Sequence, residues 1–469
     1  MRVGLIFEGT YPYVTGGVST WGHLLIQHLR DFEFCVIHIG DIPKEKIPKY
    51  KLPENVVEFF EFQLFAQYDF TEKRVQREFF EKLGNSIKYP FDELQISQEL
   101  YKLLERYSDN DFTKVFQCDC YWSAITDFYK IYLPDESFTN YYWTVRGMLI
   151  PVVNSMTMGL PKCDLYHTVT TGYAGLCATM NSLRHKKPLI LTEHGIYHRE
   201  RELEILKSRW IPEAYKKGWI KLFKVMSALA YQRSNVVTTL FEKNQLFQRE
   251  LCKDYSKLRV IPNGVDYIKF SSLPRKKSKK PFVAGLVGRV VEIKDIKTAV
   301  KVARYVKDRI PDFKLLIIGP TDEDEQYYRE CLQLVELFKL QDTVEFTGPV
   351  DVTKYYPEID VLLLTSVSEG QPLVILEAFS AGIPVVATDV GGCSELVYGS
   401  KEDLLAPAGV IAKPKDFVGI GEGLIKLYED DEFRQAASRV AKQRVERRYT
   451  IERMIENYRR LYEEVSKEK

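Results

Sequence analysis

Two glutamates, Glu369 and Glu377, stand eight positions apart just after an apolar run. That run, Asp360 to Ser366, has the length of a buried strand, and a helical pattern ending at Gly382 follows the pair. Glu369 therefore belongs in a strand-to-helix loop at the carboxyl end of a strand, where open α/β sheets take their ligands. Gly370 lets the backbone approach a ligand closely. Pro372 lacks an N–H and suits a first helical turn. Glu377 then falls about one and a half turns into the helix, at 3.6 residues per turn. Carboxylates so placed could accept hydrogen bonds from two separate hydroxyls of one polyhydroxylated ligand. Taken in isolation, the same pair reads as two solvated helix-end carboxylates.

Cations with complementary chemistry come earlier. Gly288-Arg289 and Lys294 follow an apolar run at 282–287. An Arg offers a planar fork for paired phosphate oxygens, and a Lys a compact point charge. Together they could hold a diphosphate and stabilise charge on a leaving phosphate. Taken alone they are two surface cations. Gly319 opens a turn after the next run and could line a base or ribose pocket. Asn263-Gly264 is ordinarily a tight turn. In the first half, Gly16-Gly17 precedes a helical pattern, so its N–H groups could face an anion. The spacing is not G-x-G-x-x-G, and no acid follows a second strand where a dinucleotide ribose would be read, which weakens a nicotinamide-dehydrogenase reading. His194 sits after an apolar run between Glu193 and Gly195, with Arg199 and Arg201 close behind. A lone His is usually structural, but one at a strand's carboxyl end beside an acid is a cleft candidate.

The elements that must position these residues repeat along the chain. Runs at 2–8, 34–40, 164–169, 188–195, 235–240 and 258–262 alternate with helical stretches. The rhythm is broken at about 43–150 by charged and aromatic segments, which read as an insertion packed on aromatics or offering a sugar-contacting surface. Residues 1–272 read as one α/β domain carrying that insertion. The basic, proline-flanked segment 273–281 reads as an interdomain linker; a nucleic-acid patch is the alternative, without interleaved aromatics to support it. Runs at 282–287, 313–318, 344–346, 361–364 and 385–387 then recur at βαβ spacing, giving a second domain over 282–448. A terminal helix is expected over 449–469.

With 469 residues, the chain is long enough for two or three cores. A net charge of +1 gives no electrostatic case for nucleic acid as a partner. No apolar run approaches the roughly 20 residues of a membrane span. The first eight residues read as a strand rather than a signal peptide. The eight scattered cysteines suggest free thiols in a reducing cytoplasm. Cys118-x-Cys120 is too closely spaced for a usual zinc pair and reads as structural.

In this order, Gly16-Gly17, Glu193-His194-Gly195, Asn263-Gly264-Val265-Asp266, Gly288-Arg289 with Lys294, and Glu369 to Glu377 resemble glycosyltransferase family 4 over nearly the whole chain. The segments Glu8 to Val14 with Gly16 to Ser19, Thr192 to Tyr197 with Arg199-Glu200-Arg201, and Gly319 to Asp324 are most similar to the PelF-type enzymes of exopolysaccharide synthesis. The resemblance implies a GT-B fold: two Rossmann-like doubly wound parallel-sheet domains facing a cleft, the terminal helix packing back on the first. It implies retaining transfer of a hexose from a UDP-sugar, UDP-glucose first, to a carbohydrate acceptor, with no cofactor and no metal. It makes His194, Arg289, Lys294 and Glu369 the catalytic set. Donor contacts would come from Gly17, Asn263, Arg289, Lys294, Gly319, Glu369, Gly370, Gln371, Pro372, Leu373, Val374 and Glu377. Arg289 and Lys294 would hold the diphosphate, Glu369 the sugar hydroxyls and Glu377 the ribose. Tyr13, Gly16, Glu193, Arg199 and Arg201 would lie on the acceptor side. The expected place is the cytoplasm, free or peripheral to the inner face of the membrane, with a membrane-bound polysaccharide-synthesis complex as a further partner. Two other readings stay open: a non-catalytic nucleotide-sugar-binding subunit, and a UDP-sugar hydrolase or epimerase on the same fold.

Overall fold

A computed structural model describes the chain except for residues 41–46, 66–92, 109–115, 117–118, 276–279 and 468–469. The described strands form two parallel sheets. The first contains β1 (Arg2–Glu8), β2 (Glu33–Gly40), β3 (Val56–Gln63), β4 (Leu165–Thr168), β5 (Leu189–Glu193), β6 (Val236–Thr239) and β7 (Leu258–Val260), in the order β3-β2-β1-β4-β5-β6-β7. The second contains β8 (Phe282–Val287), β9 (Phe313–Ile318), β10 (Val344–Gly348), β11 (Val361–Leu364), β12 (Val385–Thr388) and β13 (Gly409–Ala412), in the order β10-β9-β8-β11-β12-β13. Both have the doubly wound pattern expected from the alternating runs.

Composition explains the parallel arrangement. Helices cover both faces of a parallel sheet, so its inner strands read as continuous apolar runs. Val3, Leu5, Ile6 and Phe7 of β1 are wholly buried, as are Val361 and Leu362 of β11. Helix Ile296–Lys307 buries Ile296, Ala299, Val300, Val302, Ala303 and Val306 against the second sheet. Asp295 caps it, with its side chain accepting from the Thr298 N–H.

By contacts the chain forms two compact units. One comprises Met1–Thr239, Asn244–Val260 and Tyr458–Lys469; the other comprises Leu240–Lys243 and Ile261–Asn457. The division falls ahead of the expected position 272. Residues 261–275 and 280–281 count with the second unit, so the described part of the basic segment is not a connection between units. Helix Ile451–Lys467 carries Met454, Ile455, Tyr458, Leu461, Tyr462 and Val465 as a buried stripe at helical spacing. Its residues from Tyr458 onward belong to the first unit.

Two strands depart from the expected pattern. β3 lies inside the segment read as an insertion, yet it pairs in parallel with β2 and forms the edge of the first sheet. Its polar Glu58, Glu61 and Gln63 are what an edge position tolerates and what an apolar-run criterion passes over. β13 is a four-residue edge strand that opens on a glycine and that none of the expected runs covers. The expected pair Cys118-x-Cys120 falls outside what can be described of these side chains. Cys35, Cys163, Cys177, Cys252, Cys331 and Cys393 are buried free thiols.

Candidate active site

The second sheet reverses its winding between β8 and β11: from β8 the chain moves outward through β9 and β10, and from β11 outward through β12 and β13. The carboxyl ends of those two strands carry Gly288-Arg289 and Thr365 to Gln371. A doubly wound sheet opens its ligand crevice at this reversal.

Backbone contacts assemble the loops there. Gly319 has φ 149°, and a Cβ on it would lie 2.2 Å from the Gly288 carbonyl oxygen, so the loops after β8 and β9 touch only because that residue is glycine. The turn holding Lys294 is fastened to the loop after β11 twice. The Thr365 hydroxyl donates to the Lys294 carbonyl at 2.9 Å, and the Val367 N–H to the Ile293 carbonyl at 2.9 Å. On the other side, the Gly392 N–H donates to the Gly370 carbonyl at 2.8 Å.

This scaffold brings Lys294 and Glu369 together. Lys294 Nζ donates to Glu369 Oε1 at 2.5 Å, and the Ser366 hydroxyl donates to the same oxygen at 2.6 Å. Their side chains are only 20% and 12% exposed, so these are not two solvated ions. Arg289 follows the glycine whose Cβ position lies 3.6 Å from the Lys294 stem, and its guanidinium donates to Glu323 at 2.5 and 2.7 Å. Helix Leu373–Ser380 starts beside Glu369 with no side-chain cap and no acid in its first turn. Its N-terminal amides are therefore available to an anion. Pro372 is the N-cap residue rather than part of the first turn.

Glu377 lies on that helix, as expected, with Oε2 accepting from the Tyr356 hydroxyl at 2.8 Å. Burial raises its pKa, opposed by the Tyr356 hydrogen bond and by the charge of Lys269. Gln371 was expected on the donor. It is buried and spends its amide elsewhere: Oε1 accepts from the Asn263 N–H at 2.7 Å, and Nε2 donates to the Leu240 carbonyl at 3.2 Å. Asn263-Gly264 is not a tight turn. Val265 bridges in parallel with Thr450, and a Cβ on Gly264 would lie 2.5 Å from the Thr450 carbonyl oxygen. The glycine permits two backbones to cross in contact.

In the first unit the candidates separate. His194 follows β5 and meets the edge of Trp21 with ring centroids 4.9 Å apart. Its Nε2 is buried with no hydrogen-bond partner, and burial lowers its pKa to about 4, so the ring is neutral at pH 7. Glu193, expected on the acceptor side, points into the core. Tyr231 donates to it at 2.5 Å, Gln248 at 3.0 Å and the Tyr197 N–H at 3.5 Å. Burial raises its pKa to about 7. Arg199 pairs with Glu250 and lies over Phe247. Arg201 pairs with Glu204 and lies over Tyr197. The Tyr13 hydroxyl donates to Glu61. Gly16 is the N-cap of helix Gly17–His28, whose first turn has no acid, and a Cβ on Gly16 or Gly17 would meet open space.

Glu8 was not singled out from the sequence as a site residue. It ends β1 where the first sheet reverses between β1 and β4. Its Oε2 accepts from the Ala174 N–H and its Oε1 from the Tyr197 hydroxyl, both at 3.0 Å. It thereby caps helix Tyr173–His185. An acid closing a strand beside a glycine was the one available signal. Tyr356, in a loop between runs, gave none.

The profile of a domain of unknown function, DUF3492, matches residues 1–254. The chain belongs to the DUF3492 family. Residues 269–444 of this family member match the glycosyl transferases group 1 profile, so the loops around Lys294 and Glu369 lie in a glycosyltransferase domain. The amylovoran biosynthesis glycosyltransferase AmsK of Erwinia amylovora is 26% identical over 279 residues, covering 56% of this chain and 62% of that protein. An Escherichia coli UDP-Gal:alpha-D-GlcNAc-diphosphoundecaprenol alpha-1,3-galactosyltransferase is 25% identical over 317 residues, covering 64% and 75%. The chain spans less than two thirds of the first curated relatives it matches, from 38% to 61% of their length. Anabaena HepE, solved in complex with UDP, aligns over 99% of this chain and 100% of its own with a TM-score of 0.62 at 14% identity. That likeness shows the GT-B fold.

Proposed function

We propose that this DUF3492 chain is a retaining, metal-independent hexosyltransferase of glycosyltransferase family 4, closest to the PelF type. It takes a UDP-sugar, UDP-glucose first, to a carbohydrate acceptor in exopolysaccharide synthesis. The observation that carries the reading is the Lys294–Glu369 pair at the β8/β11 reversal, with Arg289 and an uncapped helix N-terminus beside it. A diphosphate would take Lys294, Arg289 and the amides of Leu373 and Val374. Glu369, released from the lysine, would accept hydrogen bonds from sugar hydroxyls, and Glu377 from the ribose. The relatives, an amylovoran biosynthesis glycosyltransferase and a UDP-Gal-dependent galactosyltransferase, and a structural neighbour solved with UDP support the same donor class.

In the proposed reaction the bond from the anomeric carbon to the diphosphate oxygen breaks, and the acceptor oxygen bonds to that carbon from the same face. The acceptor proton passes to the departing phosphate oxygen. The cations stabilise the charge that develops there, which is where preorganised donors contribute most. His194, neutral and with Nε2 lacking a hydrogen-bond partner, is the first unit's candidate for meeting an acceptor hydroxyl.

Calorimetry with UDP-, GDP- and ADP-glucose tests the donor. UDP-glucose is expected to bind at least about tenfold more tightly than the others, a difference of about 1.4 kcal/mol. Failure of all three to bind would overturn the reading. Release of free glucose or of an epimerised donor without acceptor would replace transfer by hydrolysis or epimerisation.

A further inference from the structure

The part of Glu377 that a nucleotide would use is fixed by a residue outside every motif in the chain. Tyr356 belongs to the short turn Tyr356–Glu358 just before β11 and is 1% exposed. Its ring stands edge-on against Phe270, centroids 5.6 Å apart at 89°. Its backbone carbonyl accepts from Arg275 at 3.2 Å. The surroundings of the ring are apolar: Phe270, Ile359, Leu376 and Phe379 share its cluster. A hydroxyl in such a place carries a desolvation cost unless it is hydrogen-bonded, and phenylalanine would fill the volume equally well. The hydroxyl donates at 2.8 Å to Glu377 Oε2.

Glu377 by contrast is half-buried, on a helix otherwise committed to the core through Ile375, Leu376, Ala378 and Phe379. A glutamate side chain has three rotatable bonds and loses substantial freedom when ordered. The phenol holds one oxygen, which leaves the other, and the unused lone pair of the first, in a fixed direction. A carboxylate ordered before the ligand arrives binds more tightly than one ordered by it.

We propose that Tyr356 is a positioning residue that orients Glu377 to accept the hydroxyl groups of a nucleoside ribose. The inference rests on the ribose role of Glu377 set out above. It makes the second unit selective for ribonucleotides through a group that does not itself touch the ligand.

The test is calorimetry on the full chain with two ligands, UDP and 2′,3′-dideoxy-UDP, before and after Tyr356→Phe. The substitution keeps every ring contact, and a cooperative melt confirms that the variant is folded. The unaltered chain is expected to prefer UDP. In Tyr356→Phe the Kd for UDP should rise about tenfold, the low end for a lost hydrogen bond to a charged group. Dideoxy-UDP should bind as before, so the preference shrinks by the same factor. An unchanged preference in the variant, or equal weakening of both ligands, overturns the positioning role. Absence of any preference in the unaltered chain is a different result: it overturns the ribose role of Glu377 itself.

Discussion

Lys294 and Glu369 satisfy each other at 2.5 Å, and the bond lies mostly out of water. Removing one partner of such a pair strands the other charge. In the proposed complex both partners change hands, the lysine to phosphate and the glutamate to sugar hydroxyls. The pair therefore competes with the ligand. Glu369→Gln should leave UDP binding equal or tighter, because Lys294 is released, and should abolish the advantage of UDP-glucose over UDP. Calorimetry with both ligands checks this; a large loss of UDP affinity would mean that Glu369 serves the nucleotide instead. Arg289 is a different case. Its pair with Glu323 is half-exposed, so losing it should shift stability by less than about 1 kcal/mol. Arg289→Ala should still lower the transfer rate by roughly a hundred- to a thousandfold, the range for a lost transition-state donor. Full activity in that variant would remove Arg289 from the diphosphate. Both side chains were legible from their types and spacing, whereas their hydrogen-bond partners were not. Glu323 and Ser366 meet them only through loop contacts made by Gly288, Gly319 and Thr365.

Among the elements, β5 shows why a residue at a strand end can read as part of a site and turn inward instead. Glu193 is the last residue of β5 and His194 the first beyond it, and the two side chains reach different neighbours. His194 reaches Trp21, while Glu193 enters the core against Tyr231 and Gln248. The strand end was legible in the sequence, but the burial of Glu193 depends on helix Glu213–Arg233, which supplies Tyr231. The inward placement has a pH signature. Burial raises the folded pKa of Glu193 to about 7 from an ordinary 4.5, so the folded chain keeps a proton that the unfolded chain has lost between those values. Its contribution is complete below about pH 4.5 and disappears as pH rises through 7. The swing is up to about 3 kcal/mol at 1.36 kcal/mol per pKa unit. Glu193→Gln removes this term. Comparing melting temperatures at pH 5 and pH 8, the unaltered chain should lose more stability than the variant on going to pH 8. Equal pH dependence in the two would show that Glu193 does not keep its proton. β3 and β13 were missed for a related reason: edge strands are set by their neighbours, and Glu58 and Glu61 hide β3 from any search for apolar runs.

At the scale of the molecule, the two parallel sheets were legible because buried strands must be apolar throughout and recur at βαβ spacing. Each sheet has one reversal of winding, so topology alone offers two equivalent places for a nucleotide. Local chemistry separates them. At the β1/β4 reversal the N-terminus of helix Tyr173–His185 is already occupied: Glu8 accepts from Ala174, and Tyr197 and Glu8 fill the space beside Gly172, where a Cβ would lie 2.4 Å from the tyrosine ring and 2.6 Å from the carboxylate. A phosphate there would face the partly buried Glu8 carboxyl group. At the β8/β11 reversal the corresponding helix, Leu373–Ser380, has no cap and no acid in its first turn, and Lys294 stands beside the loop that leads into it. A diphosphate should therefore select the second reversal. Hydrogen exchange followed by mass spectrometry with and without UDP reads this directly. Saturating UDP should slow exchange in peptides spanning 288–294 and 365–377 and leave those spanning 8–17 and 169–175 unchanged. Protection confined to the first-sheet peptides would transfer the nucleotide to the first unit, and with it the roles assigned to Arg289, Lys294, Glu369 and Glu377.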